Sequence, residues 1–377
     1  MPGGGHAHGH QDPLSDAAAL AEMFGRRGIE LLHLPSGGCV PKRFGDPSVE
    51  CRATRHRAGL FDFSFMGAWD FVGPKACESL MQVQTRNLRR LSVGQVAYTL
   101  LLNEQGLVWI DATVWRLGEF EYRLFTGRPS DEAGILEMAN RWNGSAISRC
   151  GADAILAVQG PASAQVIQRV LGPDATEILT SLKYFNCRAL PFEGATLWLG
   201  RLGYTGELGY ELIVPQSLGV HLWHRLLQAG ADLGILECGF EAADTLRIEA
   251  GYVLFSRELT APVEPSALGL SWLIDQAHLR ASRRMAPSRQ LVGLRFSDLK
   301  GSAYAACARA IVTSETRELS ASTPCAGARS AIALAWVDAR LGPGDIVYTM
   351  DGRRAVVERL PFYKPAKYRP RQEVRLR

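Results

Sequence analysis

Two places in this sequence set acidic side chains where they could do chemistry. One is Arg201-Leu-Gly-Tyr-Thr-Gly-Glu-Leu-Gly-Tyr-Glu-Leu-Ile-Val-Pro215, which alternates glycine with small and charged residues and then runs aromatic and aliphatic from Tyr210 to Val214. That pattern predicts a tight loop feeding a strand. Gly203, Gly206 and Gly209 let backbone fold closely around something flat, and Glu207 and Glu211, four apart in an extended segment, are expected on one strand face. A carboxylate there suits a planar ring that carries adjacent N–H donors. An ordinary hairpin with surface acids fits the same residues equally well. The other place is Asp111, set between Trp109-Ile110 and Val114-Trp115. Burying an unpaired charge is costly, so an acid in an apolar strand has a partner or faces a cavity. The solvated face of an antiparallel sheet is the alternative.

The elements that must hold these acids can be traced along the chain. Asp111 falls in a strand spanning Leu107 to Leu117, the middle of a meander that begins at Gly94 and ends with Glu121 to Thr126. Helical spacing marks Pro13 to Arg27, Pro74 to Gln82, Ser130 to Trp142, Ser217 to Gly230 and Gly239 to Gly251. Ala68 to Gly73 and Ala154 to Gln159 read as strands, and Leu31 to Asp46, rich in glycine and proline, as an irregular connection. Arg247 and Glu249 stand two apart on a helix, so one of them is expected to point inward. Short runs at Leu291–Phe296, Ala310–Thr313, Ala331–Trp336, Asp345–Tyr348 and Arg354–Leu360 suggest a small β domain with barrel-like spacing. Strands and helices alternate with meanders between, which indicates an α+β class rather than a doubly wound parallel sheet.

Composition narrows the functions. A chain of 377 residues exceeds one small core. Its formal charge of +4 is small for that length, and no block of like charge appears, so nucleic acid is not an expected partner. No apolar run approaches the roughly 18 residues of a membrane helix, and the expected location is cytoplasmic. The eight cysteines are scattered with no C-x-x-C pair, which points to reduced thiols and away from structural zinc. His6, His8 and His10 could meet a metal together, but a histidine-rich tail is the simpler reading.

Six tags in order resemble the aminomethyltransferase family, the T-protein of the glycine cleavage system and its tetrahydrofolate-binding relatives. They are Gly59-Leu-Phe-Asp-Phe-Ser-Phe-Met-Gly67, Gly94-Gln-Val-Ala-Tyr-Thr through Asn103-Glu-Gln-Gly106, Leu156-Ala-Val-Gln-Gly-Pro161, Gly203-Tyr-Thr-Gly-Glu-Leu-Gly-Tyr-Glu211, Asp244-Thr-Leu-Arg-Ile-Glu-Ala-Gly251 and Pro361-Phe-Tyr-Lys-Pro365. The resemblance runs from about residue 55 to 370. It implies a three-domain α+β cloverleaf around a tetrahydrofolate channel: after a leader and connecting segment at residues 1–54, the folate-binding region at 55–280 holds two interleaved α+β domains, and 290–377 form a C-terminal β-barrel. It also implies that Asp111 sits beside the reactive folate nitrogens and that Glu211 pairs with the pterin. Tyr98, Tyr204, Glu207 and Arg247 are the further candidates for the folate site.

Three positions depart from the family pattern: Ile110 before Asp111, Ala243 before Asp244, and Phe65 in the first tag. With Phe63, Trp69 and Trp109 nearby in sequence, they suggest a greasier pocket suited to a small methylated donor. The leading expectation is therefore a one-carbon transferase, demethylase-like, that moves a unit from an N-, S- or O-methyl donor to tetrahydrofolate. True glycine-cleavage aminomethyl transfer and a non-catalytic folate-binding regulator are the alternatives. No flavin or nicotinamide fingerprint is present, so a redox-neutral transfer or a separate oxidoreductase partner is expected.

Overall fold

The structure, a computed structural model, describes residues 18–34, 38–127, 134–135, 137, 146–149, 153–259, 261–275, 286–296, 319–322, 331–349 and 352–364. The chain opens with α1 (Ala18–Arg26) and a hairpin of β1 (Leu31–His33) and β2 (Cys39–Pro41), then α2 (Pro47–His56), β3 (Ala58–Asp62), β4 (Gly67–Val72) and α3 (Ala76–Val83). The meander is β5 (Val96–Leu102), β6 (Val108–Arg116) and β7 (Glu121–Thr126), and β8 (Ala146–Arg149) and β9 (Asp153–Gln159) come after it. Next are α4 (Ser163–Leu171), α5 (Ala175–Ser181), β10 (Cys187–Phe192), β11 (Ala195–Gly200), β12 (Gly209–Pro215), α6 (Gln216–Gly230), β13 (Ile235–Glu237), α7 (Phe240–Glu249) and α8 (Phe255–Glu258). The last described elements are β14 (Arg289–Phe296), β15 (Leu319–Ser322), β16 (Ala331–Asp338), β17 (Ile346–Tyr348) and β18 (Arg354–Glu358).

The strands form three principal sheets, ordered β10-β11-β12-β9-β3-β13, β5-β6-β7-β4-β8 and β15-β16-β14-β18-β17. Strand alternation decides what each face meets. On β9 and β12, Leu156, Val158, Leu212 and Val214 face helices α1, α4 and α6, packing with Phe24, Ile167 and Trp223. Burial of each such side chain contributes roughly 1.5–3 kcal/mol. The opposite residues, Ile155, Ala157 and Ile213, join a second apolar layer with Trp115, Phe125 and Val96 from the meander sheet. The first two sheets thus pack face to face. Backbone bonds pin one end of that sandwich: Val96 N–H donates to Phe185 O at 2.8 Å and Cys187 N–H to Gly94 O at 2.7 Å. The other face of the meander sheet, with Trp69, Phe71 and Val114, packs with Leu291, Leu334 and Trp336 from the third sheet.

Several expectations change. Leu31 to Asp46 is not wholly irregular, because Leu31–His33 pairs antiparallel with Cys39–Pro41. The helix α2 follows it, started by Asp46, whose carboxylate accepts the Ser48 amide, and by Pro47 at the first turn. The C-terminal strands form an open sheet with β15 and β17 at its edges, and no pairing closes a barrel among the described residues. The helix expected from Ser130 lies largely outside the described residues, as do the strand at Ala310–Thr313 and the beginning of the first helix at Pro13.

Candidate active site between two sheets

The glycine loop wraps an object supplied by the chain itself. A Cβ on Gly203 would fall 2.0 Å from the Gln159 side chain and one on Gly209 2.3 Å from it, so glycine at both positions leaves the room that this carboxamide occupies. The buried Gln159 amide donates to Leu202 O at 3.2 Å and accepts from the Thr205 hydroxyl at 2.9 Å. The flat group that the glycines admit is therefore this carboxamide, at the end of β9.

Glu207 and Glu211 do not share a face, contrary to their spacing. The strand begins only at Gly209, so Glu207 belongs to the bend before it. There it accepts from Arg55 Nη1 at 2.9 Å, while Arg55 Nη2 donates to Glu249 at 2.6 Å, all three side chains being buried. Arg247 is buried in a second ion-pair group, 2.7 Å from both Glu258 and Asp244, and Arg257 reaches the same Asp244. Burial alone would lower the Arg247 pKa, but Glu258 and Asp244 more than reverse that, so it stays charged. Both Arg247 and Glu249 point inward, each to its own partners, where one of the two was expected outside. Glu207 and Arg247 are thus placed within the frame of the site.

Glu211 differs. In β12 it lies between Gly200 of β11 and Ala157 of β9. It shares a strand face with Ile213, which belongs to the layer between the sheets. A Cβ on Gly200 would come within 2.1 Å of the Trp115 ring, so the indole of β6 covers the position beside Glu211. The glutamate is 9% exposed. Burial pushes its carboxyl up to about 7, with no neighbouring charge or hydrogen bond contributing. Among the described residues its carboxylate has no partner. Asp62, also raised by burial, to about 6, accepts both the hydroxyl and the amide of Ser64.

Along β6, Ile110, Ala112 and Val114 face the third sheet. Alternation sets Asp111 and Thr113 on the other side with Trp115. The Tyr98 hydroxyl donates to Asp111 Oδ2 at 2.9 Å. Tyr204, from the glycine loop, donates to Val253 O at 2.7 Å and lies against Tyr252 with ring centroids 5.9 Å apart. Burial pushes the Tyr98 and Tyr204 hydroxyls well up, and the charge of Asp111 adds to the rise at both. Asp111, Tyr98 and Tyr204 therefore share one neighbourhood. Asp111 and Trp115 stand four positions apart on β6, about 13 Å at the rise of a strand. Asp111 and Glu211 lie on two different sheets, on β6 and β12, which pack together in the layer that holds Trp115.

The aromatic residues divide. Phe61 and Phe63 stack at 5.8 Å, and Phe65 meets Phe63 edge-on at 6.2 Å, in the layer that holds Trp115. Trp69 is buried on the opposite side of the meander sheet, so it does not line this space. Two surface depressions, of about 420 Å³ between α1 and α6 and about 490 Å³ around Arg86, Arg90 and Trp272, include none of these groups. No metal-holding cluster and no helix long and apolar enough to cross a membrane occur among the described residues.

Sequence reasoning missed two residues of the frame. Gln159 carried a signal, because it stands directly before Gly160-Pro161 in one of the six tags. Arg55 carried none, since an arginine between Thr54 and His56 does not reveal that α2 turns it inward.

Residues 40–278 match the family model described as the GCVT N-terminal domain. The chain is 34% identical over 292 residues to an aminomethyltransferase of Halothermothrix orenii, covering 75% of this chain and 80% of that protein. It is 33% identical over 354 residues to an aminomethyltransferase of Streptomyces coelicolor, covering 88% and 93%. Its fold is similar to that of glycine cleavage system aminomethyltransferase T from Bartonella henselae, with a TM-score of 0.78 at 25% identity over 92% of this chain and 97% of that one.

Proposed function

Because the chain belongs to the aminomethyltransferase family, we propose that it moves a one-carbon unit from an aminomethyl donor to tetrahydrofolate, bound between the first two sheets. The observation that carries this reading is Glu211, a buried carboxyl with no partner among the described residues, on the sheet that packs against the one bearing Asp111. A pterin presents an amino group and a ring N–H side by side. A carboxylate accepts such a pair as two parallel charge-assisted bonds, stronger than neutral ones. The desolvation that raises the Glu211 pKa is what a ligand with those donors would offset.

Tetrahydrofolate supplies the nucleophilic nitrogen that accepts the carbon. The chain's own residues do the rest. Glu211 fixes the ring, and the aromatic layer of Phe61, Phe63 and Trp115 keeps water from it. Asp111, its Oδ2 held by the Tyr98 hydroxyl, offers a fixed negative charge to an iminium or ammonium and takes or returns a proton at its carboxylate. Tyr204 closes the side towards Val253. The relatives favour aminomethyl transfer over demethylation of a small methylated donor. An aminomethyl carbon is already at the oxidation level of the product, so no oxidising partner is needed. The oriented Asp111 favours catalysis over passive folate binding. Residues 55–280 are taken as the folate-binding region, with a separate β unit from 290.

The test is to incubate the protein with tetrahydrofolate and an aminomethyl-loaded lipoylated carrier protein, with methylated amines in parallel. Methylenetetrahydrofolate and released ammonia, read by mass spectrometry and an ammonia assay, are expected only with the carrier. Methylfolate from a methylated amine would restore the demethylase reading. No folate product from any donor would remove the transferase reading.

A further inference from the structure

Arg55 touches neither Asp111 nor Glu211, yet every donor of its guanidinium is engaged. Nε donates to Glu249 at 3.2 Å, Nη1 to Thr205 O at 2.8 Å and to Glu207 at 2.9 Å, and Nη2 to Glu249 at 2.6 Å and Leu246 O at 3.4 Å. Five N–H groups meet five acceptor contacts. The group also lies 4.1 Å from the centroid of the Tyr363 ring, whose own amide donates to Glu249 O at 2.9 Å. Four separate parts of the chain meet at this residue: α2, the glycine loop, α7 and the segment that follows β18.

What Arg55 holds in the glycine loop is the Thr205 carbonyl and the Glu207 carboxylate, on either side of Gly206, which has φ +80°. Thr205 and Glu207 flank that glycine, and Tyr204 directly precedes them. Fixing both flanks fixes the direction in which Tyr204 leaves the loop, and Tyr204 reaches the Asp111 and Tyr98 neighbourhood. Gln159 secures the same loop from the other side through the Thr205 hydroxyl.

We infer that Arg55 is a positioning residue for the folate site, which sets the pose of Tyr204 by clamping the loop at Thr205 and Glu207 to α7 and the C-terminal segment. This rests on the folate reading above. Lysine, with three rotatable donors and no planar fork, cannot hold the two loop acceptors and the two helix acceptors together.

Arg55→Lys and Glu207→Gln are compared with Tyr363→Leu, each first verified as folded by circular dichroism at the assay temperature. The probe is tetrahydrofolate itself, with Kd read by calorimetry. Arg55→Lys and Glu207→Gln are expected to weaken binding at least tenfold. Tyr363→Leu, which removes the stack but no loop bond, should lower Tm and leave Kd within twofold. If folded Arg55→Lys and Glu207→Gln bind with the Kd of the unsubstituted chain, Arg55 only stabilises the fold and the inference is overturned alone. If the unsubstituted chain does not bind tetrahydrofolate, the folate reading fails and takes the inference with it.

Discussion

Glu207 and Glu211 stand four residues apart in one motif, are both buried, and have opposite surroundings. Glu207 is locked to Arg55 at 2.9 Å, and the arginine is locked in turn to Glu249. Glu211 sits in an apolar layer with its carboxyl raised to about 7 by burial alone. A buried charge with its counter-charge is part of a frame, and removing either partner strands the other. A buried acid without one costs stability for as long as its site is unfilled, which folded proteins tolerate where a ligand or a reaction needs it. On the proposed function, the difference separates the scaffold of the site from the group that meets the ligand. Arg247, Asp244 and Glu258 form a buried ion-pair group of their own, while Asp111 accepts from the Tyr98 hydroxyl.

Removing the charge at Asp111 should have the largest effect. Asp111→Asn keeps the shape and an acceptor for Tyr98 but discards the charge, so turnover should fall by about 10²–10⁴-fold with tetrahydrofolate affinity unchanged. Normal turnover would exclude Asp111 from the mechanism. On the scaffold side, Arg55→Ala removes the cation that bonds two buried carboxylates, Glu207 and Glu249. It should destabilise the fold by about 3–5 kcal/mol, measured as a lowered urea midpoint. A loss below about 1 kcal/mol would mean that solvent reaches the pair, as at a surface ion pair.

Glu211→Gln should move two quantities in opposite directions. Loss of charged hydrogen bonds to the ring should weaken tetrahydrofolate binding by about 1.5–3 kcal/mol. Stability should change with pH in a defined sense. The usual glutamate value is about 4.3 and the native value is about 7, so the folded chain binds this proton more tightly than the unfolded chain. Its stabilising contribution is full below the unfolded value and is lost as pH rises through the native one. The glutamine variant should therefore gain on the unsubstituted chain as pH climbs towards 8, by up to roughly 4 kcal/mol, and match it near pH 4. Equal stability at both ends would show that Glu211 is paired after all. The smallest expected effect is that of Tyr98→Phe, which deletes one hydrogen bond to Asp111 and should cost about 1 kcal/mol in turnover. Unchanged turnover would show that Asp111 is oriented without it.

Much of this was legible in residue order. The strand carrying Asp111 followed from its alternation and from the Asn103 to Gly106 turn, and β12 from the run Tyr210 to Val214. The helix α6 followed from apolar residues at helical spacing. What misled was local. A segment extended from 207 on sets Glu207 on the strand face of Glu211, whereas the strand starts only at Gly209, after the bend. Nearness in sequence groups Trp69 with Phe63 and Phe65, but in β4 it turns to the opposite side from the Phe63 layer. Those errors share a cause. Sequence separation predicts a common face only while the backbone keeps one regular conformation.

The sequence by itself determined which groups were available: a glycine loop with two acids, an acid amid tryptophans, and six tags in family order. Their kinds of chemistry follow from side-chain structure, which no fold alters. Only the tertiary structure decided which acid would be neutralised. Arg55 lies 152 residues from Glu207 and 194 from Glu249 along the chain, and nothing local announces that α2, the loop and α7 meet there. Whether a carboxyl is part of a scaffold or part of a site depends on the charge within a few ångströms of it and on the water kept away, because desolvation and Coulomb attraction both act through space and take no account of the order of the chain.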